Sequence, residues 1–245
     1  MASANFRFKQ FTVWHDRCAM KVGTDGVLLG AWCPIATATS EGEYKVLDIG
    51  TGSGLIAMMV AQRATTIDNI TTLIDTIDID AGAAEQAKYN FEQSPWSNLL
   101  NIYQSSLQEW QSEEKYDLIV SNPPYFQGSL KNPDAQRATA RHTDSLSYSE
   151  LIKHSERLLK DGGMLALVLP IEAEKEILSL AAAAGLVPTH ITYVHTKPGK
   201  PTKRILIALK KGTGNEKVSS NNFYIESEDS PRSEEYRKLT EDFYL

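Results

Sequence analysis

From Tyr44 onward the chain alternates short apolar segments, typical of buried β-strands, with segments whose apolar residues recur at helical spacing. The predicted strands are 44–49, 72–77, 99–104, 116–121, 163–169, 188–195 and 203–210. The predicted helices are 53–63, 81–92, 147–160 and 171–185. Because a helix that joins two parallel strands must cross over a face of the sheet, this alternation predicts a mostly parallel sheet flanked by helices.

The last two predicted strands are joined differently from the others. Only a turn that contains Pro and Gly, 197–201, lies between them, which favours an antiparallel hairpin. The predicted fold class is therefore α/β, a seven-stranded, mostly parallel sheet with a reversed last strand. At 245 residues the chain is long enough for one such domain with a full core. We divide it into an N-terminal segment that caps substrate or cofactor, 1–43, the α/β domain, 44–211, and a C-terminal tail packed on or near that domain, 212–245.

The composition is that of an ordinary globular protein, with 42% hydrophobic residues. The longest clean apolar run, 164–169, is far shorter than the ~20 residues that a membrane-spanning helix requires, and the N-terminus has no apolar signal core. Two cysteines, Cys18 and Cys33, lack metal-ligand spacing and are too few for a disulfide framework. We therefore expect a cytoplasmic protein without a membrane segment or a metal site.

A glycine-rich turn follows the first strand of the alternation. Gly50, Gly52 and Gly54 have the spacing G-x-G-x-G, which differs from the G-x-G-x-x-G that seats a pyrophosphate. Glycines let a ligand approach the backbone without an intervening Cβ, and Asp48 before the turn can meet a cationic amino-acid head group. The pattern suits S-adenosylmethionine, whose methionyl end carries an ammonium, better than a dinucleotide. A nucleotide fold of another kind is the alternative.

Two acids end the second predicted strand of the domain. Asp78 is the predicted partner of ribose hydroxyls, because an acid at the end of the second strand commonly has this role. Asp80 is either a second ribose contact or the N-cap of the next helix, where a short carboxylate accepts from free backbone N–H groups. We favour the N-cap for Asp80.

The tetrapeptide Asn-Pro-Pro-Tyr follows an apolar strand that ends at Ser121. Ligand chemistry in open α/β sheets occurs at the carboxyl ends of strands. The Asn122 amide oxygen and the Pro123 carbonyl can each accept a hydrogen bond, and the Tyr125 ring after Pro124 offers a face on which a base can stack. The tetrapeptide predicts a site that holds a planar –NH2 group. A Pro-Pro turn that only ends the strand is the alternative.

The glycine turn, the acid and the tetrapeptide, in this order, resemble the class I S-adenosylmethionine-dependent methyltransferases that modify exocyclic or amide nitrogens, over residues 20–210. Three segments, 21–32, 137–142 and 236–244, resemble more narrowly the tRNA1(Val) adenine-N6 methyltransferases. The resemblance implies a Rossmann-like fold, S-adenosylmethionine as the cofactor, and a catalytic role for the tetrapeptide. The residues that it implies in cofactor binding are Lys21, Thr24, Asp25, Gly26, Asp48, Gly50, Thr51, Gly52, Gly54, Asp78, Ile79, Ser106 and Asn122.

One position departs from the pattern of the family. Many relatives carry an Asp that contacts the adenine amino group of the cofactor, and this chain has Ser106 there. A hydroxyl makes one hydrogen bond but no charged one, so we expect this contact to be weaker or to be supplied by another residue.

The activity implied by the resemblance is methyl transfer to N6 of adenosine 37, just 3′ of the anticodon in tRNA1(Val). The same tetrapeptide serves enzymes that methylate a glutamine side-chain amide in peptide release factors. Those enzymes usually carry a separate N-terminal helical domain, for which residues 1–43 are too few, and we therefore favour RNA. A catalytically silent module that only binds S-adenosylmethionine is a third hypothesis, against which the intact tetrapeptide argues.

The net charge of −6 argues against indiscriminate nucleic-acid binding, for which a basic domain is expected. Basic residues are nevertheless concentrated in 1–21 and in 195–211, which has no acid. The predicted RNA-binding residues are Arg7, Lys9, Arg137, Arg141, Lys197, Lys200 and Lys203. For any one of them an ordinary solvated surface is the alternative.

Segment 126–147 lacks clear periodicity and is predicted to be a substrate lid that orders on RNA binding, with an ordinary flexible loop as the alternative. The expected partner is the anticodon loop of a valine tRNA. The sequence leaves the oligomeric state open, and a monomer is the simplest expectation.

Overall fold

The structure of the chain is a computed structural model that describes residues 4–18, 20–35, 42–67, 70–124, 146–212 and 217–245. Its central sheet consists of β3 (Gly42–Ile49), β4 (Ile70–Asp78), β5 (Leu100–Gln104), β6 (Tyr116–Ser121), β7 (Leu159–Pro170), β8 (Leu186–His195), β9 (Thr202–Lys211) and β10 (Ser219–Tyr224). The eight strands lie in the order β10-β8-β9-β7-β6-β3-β4-β5. Strand β9 is antiparallel to both of its neighbours, and the other neighbouring strands are parallel.

The fold class predicted from the sequence is confirmed, and the sheet has one strand more than predicted. All seven predicted strands form, and the hairpin of β8 and β9 supplies the reversed strand. The additional strand β10 lies in the tail and pairs in parallel with β8. Within its sequence, SSNNFY, only Phe223 is buried, so no alternation of apolar and polar residues marks it as a strand.

Six α-helices occur in the described part of the chain. They are α1 (Thr24–Trp32), α2 (Leu55–Ala64), α3 (Ala81–Glu92), α4 (Tyr148–Leu158), α5 (Glu174–Ala183) and α6 (Glu234–Thr240). A capping box starts α4: the Ser147 hydroxyl accepts from the Glu150 backbone N–H, and the Glu150 carboxylate accepts from the Ser147 backbone N–H. None of these helices is long and apolar enough to cross a membrane.

The helices cover both faces of the sheet. One buried cluster includes Leu28 of α1, Met59 of α2 and Phe91 of α3. The other includes Leu151 of α4 and Ile177 of α5. The sheet is therefore buried between two apolar layers, as expected for parallel strands that are joined by helical crossovers.

Both ends of the chain pack on the first of these faces. Strands β1 (Asn5–Arg7) and β2 (Thr12–Trp14) form a small antiparallel sheet. Phe8 stacks on Phe11 and on Tyr244, with ring centroids 4.7 and 5.9 Å away, and the Lys9 N–H donates to the Phe243 carbonyl (2.8 Å). The tail thus contributes apolar side chains to the same core as the N-terminal segment.

Strand direction determines where a ligand can bind. Because β3, β4, β5 and β6 run parallel, they all end at one edge of the sheet, here called the carboxyl edge. Strand β9 runs in the opposite direction and pairs Arg204 with Pro170 at the end of β7. This pairing brings the turn that joins β8 to β9, residues 196–201, to the carboxyl edge as well.

Candidate active site

A cavity of about 590 Å³ opens at the carboxyl edge, within the size range of small-molecule and cofactor sites. It extends across the ends of β6, β3, β4 and β5. Thirteen of the predicted site residues line it: Lys21, Thr24, Asp25, Gly26, Gly50, Thr51, Gly52, Asp78, Ile79, Ser106, Asn122, Pro123 and Pro124. The tertiary structure therefore brings together residues that are up to about a hundred positions apart in the sequence.

The glycine turn forms the floor of the cavity. The backbone N–H groups of Gly50 and Thr51 donate to the Ile77 carbonyl at 2.9 and 3.1 Å, which joins the ends of β3 and β4. Gly52 has a φ of +56°, a left-handed conformation that favours glycine, and a Cβ added there would meet no atom within 4 Å. The turn therefore presents open backbone to a ligand.

Gly54 has a different role in the same turn. It is the N-cap of α2, with a φ of +81°, and a Cβ built on it would lie 2.3 Å from a ring carbon of Phe91 in α3. Gly54 is not among the residues that line the cavity. Here glycine allows α2 and α3 to pack closely, and its predicted contact with the cofactor stays a prediction.

Asp48 lies beneath the turn and is not part of the cavity wall. Its side chain is completely buried, and one carboxylate oxygen accepts from the Thr51 hydroxyl (2.7 Å). Burial raises the pKa of this carboxyl to about 7, while the Thr51 hydrogen bond opposes the rise and the Asp78 charge adds to it. The structure thus places Thr51 between Asp48 and the cavity, and the predicted contact of Asp48 with an ammonium group stays a prediction.

Asp78 and Asp80 have separate functions at the end of β4. The Asp78 carboxylate accepts from the backbone N–H of Gly52 (2.8 Å) and of Asp80 (2.9 Å), so it orients the glycine turn. Burial raises its pKa, although the backbone hydrogen bonds oppose the shift. Asp80 accepts from the Ala83 backbone N–H (2.7 Å) and is the N-cap of α3, which confirms the N-cap prediction.

Asn122 follows β6 directly, and its amide oxygen is buried without a hydrogen-bond partner among the described residues. The end of β6 is held in place because the Ser121 hydroxyl donates to the Ile49 carbonyl of β3 (2.8 Å). Pro123 is buried and Pro124 is exposed, whereas Tyr125 lies outside the described residues. The site therefore contains an acceptor, fixed at a strand end, that no group of the described chain satisfies.

The first turn of helix α1 contributes to the wall of the cavity. Its first residues, Thr24, Asp25 and Gly26, line the cavity together with Lys21. Asp25 accepts from the Arg204 guanidinium of β9 (3.0 Å), and this ion pair joins the N-terminal segment to the hairpin. The sequence contains no signal for this contact, because it joins residues in different elements that are far apart in the chain.

The predicted RNA-binding residues fall into three groups. Lys197, Lys200 and Lys203 are exposed in or beside the turn at the carboxyl edge. Arg7 and Lys9 are exposed on the N-terminal hairpin, and the Lys9 ammonium donates to the Glu241 carbonyl. Arg137 and Arg141, with nearly all of the predicted lid, lie outside the described residues.

Further residues that were not predicted for the site also line the cavity, and they include Cys18, Met20, Gln108 and Leu146. The first two belong to the segment that precedes α1, and the others flank the end of β5 and the start of α4. No motif marks any of them, because a lining position of this kind depends on how distant segments pack.

Solved structures and a family model both support assignment to one class of protein. The fold is similar to that of a predicted O-methyltransferase from Agrobacterium tumefaciens, with a TM-score of 0.66 and 16% identity, covering 89% of this chain and 96% of that one. It is also similar to a putative class I S-adenosylmethionine-dependent methyltransferase from Listeria monocytogenes, with a TM-score of 0.58 and 12% identity, covering 90% and 71%. The family model described as "Methyltransferase small domain" matches residues 34–184. Fold and site define a class I methyltransferase that uses S-adenosylmethionine.

Curated relatives narrow this class to one family. A protein from Parabacteroides distasonis is 49% identical over 100% of this chain and 99% of its own length, and one from Aeromonas salmonicida is 45% identical over 99% and 98%. Both are named tRNA1(Val) (adenine(37)-N6)-methyltransferase. The chain belongs to the family of the tRNA1(Val) (adenine(37)-N6)-methyltransferases, which confirms the resemblance seen in its sequence.

Proposed function

We propose that the protein transfers the methyl group of S-adenosylmethionine to the exocyclic N6 of adenosine 37 in tRNA1(Val), the reaction that the names of its curated relatives describe. The observation that carries the proposal is the amide oxygen of Asn122, which is buried in the cavity and has no hydrogen-bond partner among the described residues. A buried acceptor left without a donor costs about 1–3 kcal/mol. We therefore infer that the substrate supplies the missing donor, and the adenine amino group provides such N–H bonds.

The described residues fit the cofactor. Gly52 offers open backbone at the end of β3, and the exposed Ile79 offers an apolar surface beyond β4. We assign the methionyl end of the cofactor to the glycine turn, nearest the end of β6, and the ribose to Asp78. The adenine then falls at the wall formed by the end of β5, which contains Ser106.

The chemistry assigned to the protein is mainly alignment. Adenine N6 is a poor nucleophile because its lone pair is delocalised into the ring. The Asn122 amide oxygen and the Pro123 carbonyl accept the two N6 hydrogens, which draws N6 toward tetrahedral geometry and directs its lone pair out of the ring plane. S-adenosylmethionine supplies an electrophilic methyl group on a sulfonium. Proximity and orientation then provide most of the rate enhancement.

Two further elements of the proposal concern the target base. Tyr125 stacks on it, a contact worth ~1–3 kcal/mol per base. The base must leave its own stack to enter the cavity, and this is least costly in an unpaired loop. No strong base is required, because the proton leaves after N6 has become positively charged.

The basic turn at the carboxyl edge is assigned to the tRNA backbone. Lys197, Lys200 and Lys203 are exposed at the edge where the cavity opens, so phosphates that flank the target adenosine can reach them. Arg7, Lys9, Arg137 and Arg141 are kept as further candidates. A protein that acts on tRNA meets its substrate in the cytoplasm, where we place it.

The alternative substrate, a glutamine side chain of a release factor, would use the same two acceptors. The names of the relatives reported above favour RNA instead. A module that only binds the cofactor would not need an unpartnered Asn122 oxygen beside it, since that oxygen contributes nothing to stability.

The test is transfer of a tritiated methyl group from S-adenosylmethionine to three acceptors: a tRNA1(Val) transcript, the same transcript with guanosine at position 37, and a peptide release factor. We expect label only in the first, and nuclease digestion should release it as N6-methyladenosine. Equal label in both transcripts would contradict the assigned position. Label in the release factor alone would contradict the assigned substrate class.

A further inference from the structure

The hydroxyl of Ser106 is already used within the protein. It donates to the Glu109 carboxylate (3.0 Å) and accepts from the Glu109 backbone N–H (3.3 Å). A serine hydroxyl has a single proton to donate, and here that proton is directed at Glu109. Ser106 is therefore held as the first cap of the turn after β5, and of its donor and two acceptor positions only one lone pair is left for a ligand.

Gln108, two residues later, also lines the cavity. Its side-chain NH2 group donates to the Glu150 carboxylate of α4 (3.2 Å). Because the amide carries its NH2 and its carbonyl oxygen on the same carbon, fixing the NH2 group on Glu150 also fixes the direction of the oxygen. Gln108 is thus an oriented amide, in contrast to a freely rotating surface side chain.

Glu150 is itself held firmly. One of its carboxylate oxygens accepts from the Ser147 hydroxyl (2.7 Å) and from the Ser147 backbone N–H (3.0 Å). The Ser147 hydrogen bonds, followed by the one from Gln108, lower the pKa of Glu150, so it stays an anion that can only accept. The Gln108 amide therefore cannot flip without placing its carbonyl oxygen against a carboxylate.

We propose that Gln108 recognises the adenine amino group of S-adenosylmethionine through its side-chain carbonyl oxygen, with Glu150 as the positioning residue. Gln108 then replaces the acid that the sequence lacks at position 106. The proposal rests on S-adenosylmethionine as the cofactor and is independent of the tRNA substrate.

An amide oxygen in this place discriminates against a 6-oxo base. When a carbonyl replaces the amino group of adenine, two acceptors face each other without a proton between them, and a site built to bond an amino group rejects such an analogue. Ser106 can donate as well as accept after a small rotation, so a hydroxyl would discriminate much less. The ratio of the dissociation constants for the two bases therefore shows whether Gln108 or Ser106 contacts the group at position 6 of the base.

The experiment measures binding of S-adenosylhomocysteine and of S-inosylhomocysteine, its 6-oxo analogue, by calorimetry without tRNA. We expect the wild-type protein to bind the adenosyl ligand about tenfold or more tightly than the inosyl ligand. The adenine amino group donates a hydrogen bond to the Gln108 oxygen, whereas the 6-oxo group is an acceptor and is repelled by it. Gln108→Leu should weaken binding of the adenosyl ligand roughly five- to fiftyfold and reduce the ratio of the two dissociation constants to about one.

Ser106→Ala is the matched control, because it removes a hydroxyl from the same turn and should leave the ratio within about twofold of wild type. Each ratio is measured within one variant, so a general loss of stability does not alter it. Equal weakening of both ligands in Gln108→Leu would overturn the proposal and leave Gln108 a purely structural tie to α4. A ratio that collapses in Ser106→Ala, or that is already near one in the wild type, would overturn it as well. A failure to methylate tRNA would leave these ratios unchanged and would count only against the proposed function.

Discussion

Two polar side chains at the carboxyl edge, Asn122 and Asp48, show how differently buried polar atoms can be used. The Asn122 amide oxygen has no partner among the described residues. Asp48 is completely buried, with one oxygen bonded to Thr51 and the other without a partner among those residues. A buried acceptor without a donor lowers stability, and Asn122 lines the cavity, where a ligand can supply the donor. Asp48, by contrast, supports the wall of the cavity from below.

Asn122→Ala should reduce kcat about a hundredfold or more, as expected for loss of a preorganised polar group that acts on the reacting atom. The dissociation constant for S-adenosylmethionine should stay within about threefold of wild type, since one neutral contact at most is lost. Steady-state methylation kinetics and calorimetry measure the two quantities. Asn98→Ala, at an exposed asparagine before β5, is the matched control. Near-normal turnover of the Asn122 variant would remove this residue from catalysis.

Asp48 should make stability depend on pH. Its pKa is raised from 3.8 to about 7 in the folded protein, so between about pH 4 and pH 7 the folded state retains a proton that the unfolded chain has lost. The contribution of this group to the free energy of unfolding is therefore fully present below pH 4 and falls as the pH rises to 7, by ~1 kcal/mol per pH unit.

Asp48→Asn removes this titration, so the variant should lose less stability than the wild type between pH 4.5 and pH 7. Urea denaturation across that range measures the free energy of unfolding of both proteins. Above pH 7 the difference between them should become constant. Parallel pH profiles over the whole range would show that Asp48 ionises normally in the folded state.

At the scale of elements, the cavity depends on how the turn after β3, helix α1 and strand β9 are held together. The glycine turn is fixed to β4 through Ile77 and Asp78. Helix α1 is fixed to β9 by the ion pair between Asp25 and Arg204. Arg204 lies next to Lys203 of the basic turn in the sequence, and its pairing with Asp25 ties α1, which lines the cavity, to strand β9.

Two glycines of the same turn should respond differently to alanine. Both have a positive φ, +56° at Gly52 and +81° at Gly54, so each substitution has a backbone cost of ~1–2 kcal/mol. Only Gly54→Ala adds a clash with Phe91, which raises the loss of stability by another ~1–3 kcal/mol. Gly52→Ala instead places a methyl group against the cavity and should mainly weaken cofactor binding.

Urea denaturation and calorimetry with S-adenosylhomocysteine, applied to both variants, separate these effects. Each variant is the control for the other, because the chemical change and the sign of φ are the same. Equal losses of stability would mean that Phe91 moves aside at no cost. Unchanged affinity in Gly52→Ala would place the cofactor away from the turn.

At the scale of the whole molecule, an acidic protein has to hold an acidic substrate. The net charge is −6, yet the turn that joins β8 and β9 carries lysines and lies at the edge where the cavity opens. The charge of this turn thus differs in sign from the net charge, and a local cluster of cations is sufficient to contact a few phosphates.

Replacing Lys197, Lys200 and Lys203 together by alanine should weaken tRNA binding and flatten the plot of log K against log [salt] by ~1 per lost phosphate contact. Affinity for S-adenosylmethionine should not change, since none of the three lines the cavity. A salt titration of tRNA binding for wild type and variant measures the slope.

The matched control replaces Lys88, Lys153 and Lys217, which are exposed in α3, in α4 and before β10. It removes the same charge from other parts of the surface and should leave the slope unchanged. If both triple variants give the wild-type slope, the turn is an ordinary solvated surface and the search moves to Arg7 and Lys9.

Much of the site follows from sequence because parallel strands end at one edge. Once the alternation identifies β3, β4 and β6, the residues at or just after their carboxyl ends, Gly52, Asp78 and Asn122, must lie near one another. Strand β10 could not be predicted, because its polar sequence forms a strand only where β8 offers a free edge. The partners of Asp25 and of Gln108 could not be predicted either, since each lies in an element far along the chain.

The sequence by itself determined the fold class, the family and the residues that end each strand, because these depend on local periodicity and on short motifs. Only the tertiary structure showed that the Asn122 oxygen lacks a partner among the described residues, that Gln108 is bonded to Glu150, and that the basic turn shares an edge with the cavity. Each of these facts depends on which distant groups come within hydrogen-bonding distance or onto the same edge. That is settled by packing, which local sequence patterns do not encode.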